Sequence, residues 1–377
     1  MSRPRIAVTL VFALNGFLFA SIFARLPAIK ERAGLSAGAL GLALLCAMFG
    51  LLVSQLATGP LVARHGSRPL VLAGALGYAA GLVPVALSSS FATLAGSFLL
   101  VGLVNGVLDV SMNVHGLTVE RRIGRPILAT LHAGFSFGAL AGAGVGGIVA
   151  GLGVPVVPHL ATTAVAGAAV ALAAARFLLP RDADAAPDGP RFARPSRRLV
   201  AIGAFAFCAL LSEGAVNDWA AVYLNEDLGA GEGLAAGGLV AFSLTMAVCR
   251  LVGDRLTEAV GQVGLARAGG AIAAAGVAVA ILAPDPAGAI AGFAAAGMGL
   301  AVLFPLALRA AAQRGDSPGP AVSAVSAMGY LGFLAGPPAV GGLGEAAGLG
   351  AGLAFVAVLS AFAALLAGAV RAPVEAR

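Results

Sequence analysis

Residues 91–116 read FATLAGSFLLVGLVNGVLDVSMNVHG. A run of this length with a single acid and no lysine or arginine can cross roughly 30 Å of hydrocarbon as one helix. Working outward, comparable apolar runs lie at 6–27, 37–62 and 69–88 on one side, and at 127–150, 157–178, 199–224, 234–256, 263–283, 287–310, 321–343 and 349–370 on the other. Hydrophobic residues make up 59% of the 377-residue chain and charged residues 11%, against roughly 25% charge in a soluble domain. A water-facing surface cannot be built from that composition. The chain reads as an all-α polytopic membrane protein with twelve transmembrane helices. Disorder, a collagen-like repeat and a soluble enzyme with one small anchor are excluded. The first run is kept as a span, because eleven more follow it and no small-residue cleavage site precedes a polar start.

The net charge of +6 reports topology rather than nucleic acid. With the N-terminus in the cytoplasm, 20 of the 23 basic residues fall inside, and only Arg25, Lys30 and Arg32 fall outside. That bias sets orientation. It predicts a multi-pass protein with both termini cytoplasmic. The outer loop near Glu226, Asp227 and Glu232 carries no basic residue. Cys46, Cys208 and Cys249 lie inside apolar runs without C-x-x-C spacing, and they read as small hydrophobes rather than a metal or disulfide set.

Residues 180–198, PRDADAAPDGPRFARPSRR, break the apolar pattern. They read as a cytoplasmic linker between an N-terminal six-helix bundle, 1–179, and a C-terminal one, 199–377. Four features recur in order across that linker: Asn15-Gly16 with Glu213-Gly214; the 59–68 loop with 250–261; Gly102 and Val107-Leu108 with Gly297 and Val302-Leu303; and Gly138-x-x-x-Gly142 with Gly332-x-x-x-Gly336. Duplicated halves are a transporter signature.

Of the 17 acids, only Asp109, Glu213 and Asp218 fall in the interior of spans. A charge at the centre of a bilayer costs at least about 2.5–3.5 kcal/mol, and desolvation favours the neutral form of a carboxyl. A proton-coupling site needs such a group. Asn105, Asp109 and Asn113 recur every four residues and form one polar stripe on the fourth span, suited to binding hydroxyls or to bonding a neighbouring helix. Glu213 lies mid-depth in span seven with Asn217 one turn on, and Asn15 takes the matching place in span one. Asp218 precedes Trp219, the only tryptophan, which reads either as an interfacial anchor or as a stacking platform. His132 shares the depth of Asp109 and suits a proton relay, or a bond to a backbone carbonyl or Ser136. The substrate-binding candidates are therefore Asn15, Asn105, Asp109, Asn113, Glu213, Asn217, Asp218 and Trp219. The proton-coupling candidates are Asp109, Glu213 and His132.

The loop Gly59-Pro-Leu-Val-Ala63-Arg64-His-Gly66-Ser-Arg68 resembles the G-x-L-a-D-R-x-G-R-R loop of the major facilitator superfamily, with Ala63 in the place of the usual acid. Asp109-Val-Ser-Met-Asn113 continuing to Glu120-Arg-Arg-Ile-Gly-Arg125-Pro126, and Glu213-Gly-Ala-Val-Asn217-Asp218-Trp219, resemble a poorly characterised bacterial branch near the fucose-permease type of sugar–proton symporters. The resemblance implies two pseudo-symmetric six-helix bundles working by alternating access, with spans one, four, seven and ten lining a cavity and a monomer as the default state. It also implies gating at Gly59, Arg64, Gly66, Arg68 and Glu120, with Arg64 pairing Glu120 in the absence of the loop acid. Gly253-Asp254-Arg255 would serve the second half.

The expected activity is secondary transport of a small polar organic solute, with symport driven by protons or another coupling ion. A proton antiporter exporting drugs or metabolites is the alternative, since span five resembles the g-x-x-x-G-P-x-x-G-G pattern with Ala143 for the proline. A non-transporting sensor or scaffold is a third. No G-x-x-x-x-G-K-[ST] or H-E-x-x-H motif argues for an enzyme or a cofactor.

Overall fold

The computed structural model describes residues 3–124, 127–180, 197–313 and 318–371. The linker expected at 180–198 lies almost wholly outside them. Among the described residues the α-helices are α1 (Arg3–Phe23), α2 (Leu26–Ala33), α3 (Ala37–His65), α4 (Ser67–Leu87), α5 (Phe91–Ile123), α6 (Leu128–Gly151), α7 (Val156–Ala175), α8 (Arg197–Glu226), α9 (Glu232–Val260), α10 (Gln262–Leu282), α11 (Pro286–Leu300), α12 (Leu303–Ala312), α13 (Pro318–Ala347) and α14 (Leu349–Leu365). Eleven spans, one of them made of α11 and α12 together, are long and apolar enough to cross a membrane. The 30-residue α13 supplies the twelfth. Leu56, Val165, Leu282 and Leu365 are each at least 73% exposed, which suits a lipid-facing surface.

Two differences from the sequence reading concern helix ends. The first span stops at Phe23, and a separate short helix, α2, follows it. The tenth span breaks at Ala301-Val302 into α11 and α12. Local chemistry starts several of the others. Ser36 accepts a hydrogen bond from the Ala39 amide, Ser90 and Thr93 form a reciprocal capping box, and Asp285 accepts from the Gly288 amide ahead of Pro286.

The chain divides into two units. One is Met1–Gly189 with Gly231–Gly237; the other is Pro190–Ala230 with Gly238–Arg377. In the first, α1 packs on α6 and α7, α3 on α5, and α4 on α5 and α7. In the second, α8 packs on α13 and α14, and α10 on α11 and α14, while α9 meets α11 where Thr245 donates to the Ala294 carbonyl at 2.7 Å. Each pairing recurs six spans later.

Glycines set these contacts, and they also set the repeat register. A Cβ on Gly102 would strike the Ala47 carbonyl, and one on Gly297 would strike that of Phe242. Both residues of the contact shift by 195 positions (Ala47 to Phe242, Gly102 to Gly297). Gly138 abuts the Ala13 carbonyl and Gly332 that of Phe207, a shift of 194 (Gly138 to Gly332). Gly66 and Gly261 hold the same glycine-only turn, at φ 75°, ψ 162° and φ 77°, ψ 156°.

Two of the sequence matches need correction. The α1/α8 register aligns Asn15 with Ala209, so Glu213 stands one helical turn beyond Asn15's counterpart. The dipeptides looked alike, but backbone packing decides the alignment. The Gly66/Gly261 match likewise sets Glu258 in the place of Ala63, one turn after Asp254 and Arg255.

The opening turns of α9 belong to the first unit. Arg25, 2% exposed, pairs through Nη2 with Glu232 Oε2 at 3.1 Å and donates to the Val154 carbonyl at 2.9 Å. Gly233 lies against Gly151, and Gly147 against Ala236. Burial pulls the Arg25 guanidinium below its ordinary range, and Glu232 pulls the other way; the group stays charged. Glu232→Gln would leave that buried cation uncompensated, a loss of about 1–3 kcal/mol. Hydrogen exchange should then accelerate at residues 231–237, and Arg32→Gln, at an exposed position, should leave it unchanged.

Candidate functional site

In the first unit the polar stripe forms as expected. Gln55 Nε2 of α3 donates to Asp109 Oδ2 at 2.9 Å. Asn113 Nδ2 donates to the Asp109 backbone carbonyl at 2.8 Å and to its Oδ1 at 3.3 Å. Asn15 Nδ2 of α1 reaches the Met112 sulfur at 3.7 Å. The side-chain carbonyl oxygens of Asn15 and Asn105 are buried without a partner among the described residues. An unmet buried acceptor is costly, and a solute hydroxyl would satisfy it.

The second unit is built differently. Arg250 Nη2 of α9 donates to both carboxylate oxygens of Glu213, at 3.1 and 3.2 Å, and Arg250 Nε donates to the Ala301 carbonyl at 3.4 Å. Asn217 Nδ2 donates to the Glu213 backbone carbonyl at 2.8 Å. By the repeat register, Arg250 takes the place of Gln55, and Phe304 that of Asp109. Phe304, Tyr330 and Phe333 form a chain of rings with successive centroids 6.3 Å apart.

Several expected residues fall elsewhere. Trp219 is fully buried, and its indole nitrogen has no partner among the described residues, so it sits in the core and is not an exposed interfacial anchor. Its place on the inner face of α8 decides this. Asp218 is buried beside it. His132 is exposed and meets Phe12 edge-on, with centroids 5.2 Å apart. Asp109's described hydrogen bonds go to Gln55 and Asn113, so these contacts do not make the His–Asp relay suggested by matching depth. Neither Gln55 nor Arg250 is among the sequence candidates: in the chain Gln55 is marked only by being a lone amide within span two, and Arg250 only by its charge on the cytoplasmic side.

The sequence profile of the Major Facilitator Superfamily matches residues 8–317. The chain belongs to that superfamily. It is 32% identical to an uncharacterised MFS-type transporter of Yersinia pestis, over 94% of this chain and 92% of that one. It is 33% identical to the membrane protein MosC of Rhizobium meliloti, over 93% and 86%. Among solved structures it is similar to the nucleoside transporter NupG, with a TM-score of 0.76 at 13% identity over 98% of each chain. It is also similar to a bacterial homologue of the human lysosomal transporter Spinster, with a TM-score of 0.74 at 16% identity over 97% and 96%.

The superfamily's loop residues are placed as follows. Gly66 turns the chain between α3 and α4; Arg64 is exposed at the end of α3, and Arg68 is half-buried in the first turn of α4. Gly59 has open space around it. Glu120 Oε2 accepts from the Ile127 amide at 2.7 Å, closing the turn between α5 and α6. Arg255 is exposed, and the side chain of Asp254 lies outside the described residues. His115, which is not among the sequence candidates, is fully buried behind this loop. Its Nε2 accepts from the Leu179 amide at 3.1 Å, so Nδ1 carries the proton and donates to Ser67 Oγ at 2.7 Å. The Gly138-x-x-x-Gly142 run of the superfamily's export pattern lies against the Ala13 and Phe17 carbonyls, which is a packing role.

Proposed function

We propose that the protein is a proton-coupled symporter of a small polar organic solute, working by alternating access in a bacterial cytoplasmic membrane with both termini inside. The observation that carries this reading is the setting of Asp109. Its described partners are the neutral amides of Gln55 and Asn113. A carboxyl held by amides can take or release a proton without stranding a buried cation. Glu213 cannot, because protonating it would leave Arg250 without its counter-ion. The coupling role therefore goes to Asp109. Glu213, Arg250 and Asn217 serve solute binding and structure in the second unit, and Asn15, Asn105 and Asn113 supply amide groups in the first.

Proteoliposomes loaded with a pH-sensitive dye test this with a panel of sugars, polyols, nucleosides and common drugs. Symport predicts that an added solute acidifies the lumen. Alkalinisation of the lumen on the same addition would establish antiport, and no flux with any solute would favour a sensor or scaffold.

A further inference from the structure

The second unit holds aromatic surface beside a charged pair, and the transport reading as stated makes no use of it. Phe304 in α12 and Tyr330 and Phe333 in α13 are each partly exposed, and the planes of Tyr330 and Phe333 lie 26° apart. Their placement depends on two glycines. A Cβ on Gly214 would come within 2.6 Å of the Phe333 ring, and one on Gly329 within 3.2 Å of the Phe304 ring. The Phe333 ring thus packs on α8, the helix that carries Glu213, and Arg250 Nε donates to the Ala301 carbonyl at 3.4 Å, one turn before Phe304, so the rings and the Glu213–Arg250 pair share the same helices. That pair is partly open, with side chains 14% and 32% exposed. Phe304 holds the register place that Asp109 holds in the first unit.

We infer that the face of the second unit formed by α8, α12 and α13 binds a neutral, hydroxylated solute through a flat ring. Rings of this kind stack on other flat rings. The Glu213–Arg250 pair is neutral as a unit, so it suits hydroxyls, which both donate and accept, better than a net charge. A few fixed polar groups beside an apolar wall are how small-molecule sites set orientation. The inference rests on the transport reading above and narrows its solute class.

The test is equilibrium binding to the purified full chain, read by thermal shift. Uridine and phenyl β-glucoside carry both a flat ring and hydroxyls. Ribose and glucose carry hydroxyls alone, and benzoate carries a charged ring alone. The ring-bearing polyols should bind about tenfold or more tightly than ribose, glucose or benzoate, in keeping with stacking worth roughly 5- to 150-fold per ring. Phe333→Leu and Tyr330→Leu should each erase most of that preference while leaving the ring-free sugars unchanged. Gly214→Ala, which displaces the Phe333 ring, should act in the same direction.

Equal binding of ring-bearing and ring-free members, preference for benzoate, or a ring preference that survives both leucine variants would overturn the site. Solute-driven proton flux with ring-free sugars and no ring preference would sink this inference and leave the transport reading intact. Ring-dependent binding with no flux would do the reverse.

Discussion

Asp109→Asn is expected to abolish concentrative uptake while solute exchange across the membrane continues. Asn matches the shape of Asp and keeps one oxygen to accept from Gln55; it gives up the 3.3 Å bond from Asn113, which retains the residue 109 backbone carbonyl, and it removes the titratable proton. Nothing in the packing of α5 on α3 should change. With one proton per solute and a one-unit pH gradient, the available driving force is about 1.36 kcal/mol, which supports about tenfold accumulation. The variant should therefore accumulate solute to a ratio of about one, with counterflow near wild type. Proteoliposome accumulation and counterflow, measured on the same preparation, check this. Retained accumulation in Asp109→Asn would refute the coupling assignment.

Glu213→Gln should fail differently. It strands the Arg250 guanidinium, so protein yield and thermal stability should fall before coupling does. The double variant Glu213→Gln, Arg250→Gln should recover much of the loss, because removing both partners leaves no uncompensated charge. Asp109→Asn has no such partner to rescue it.

The second large effect is structural. Gly102→Leu and Gly138→Leu should abolish recovery of monodisperse protein. The first added carbon already meets a neighbouring backbone carbonyl, of Ala47 in one case and Ala13 in the other. Backbone cannot rotate away as a side chain can, and overpacking costs about 1–3 kcal/mol even where side chains can yield. Gly297→Leu should behave alike, because its contact with the Phe242 carbonyl repeats that of Gly102 with Ala47. Gly96→Ala and Gly144→Ala, where a Cβ meets nothing within 4 Å, are the matched controls and should be neutral. Size-exclusion profiles of detergent extracts distinguish the two groups. A normal profile for Gly102→Leu would show that α3 and α5 can part without cost.

Much of this was legible in the chain. Lipid forces long apolar helices, so twelve spans could be counted from composition and run length. The i, i+4, i+8 spacing of Asn105, Asp109 and Asn113 required one helical face, and the structure places them on one. The paired glycines at 102 and 297, and at 138 and 332, could be matched by eye because close helix contact tolerates no larger residue there.

What the sequence could not decide is which side chains meet across helices. Asp109 and Glu213 look alike as intramembrane acids, yet one meets Gln55 and the other Arg250, because α3 and α9 carry different residues at equivalent places. Trp219 reads as an interfacial anchor until α8 turns it inward, and Asn15 reads as the twin of Glu213 until backbone contacts set the register one turn away. Periodicity along one helix is local and survives in the sequence. The azimuth of each helix against its neighbours is a tertiary property, settled where glycines let backbones touch.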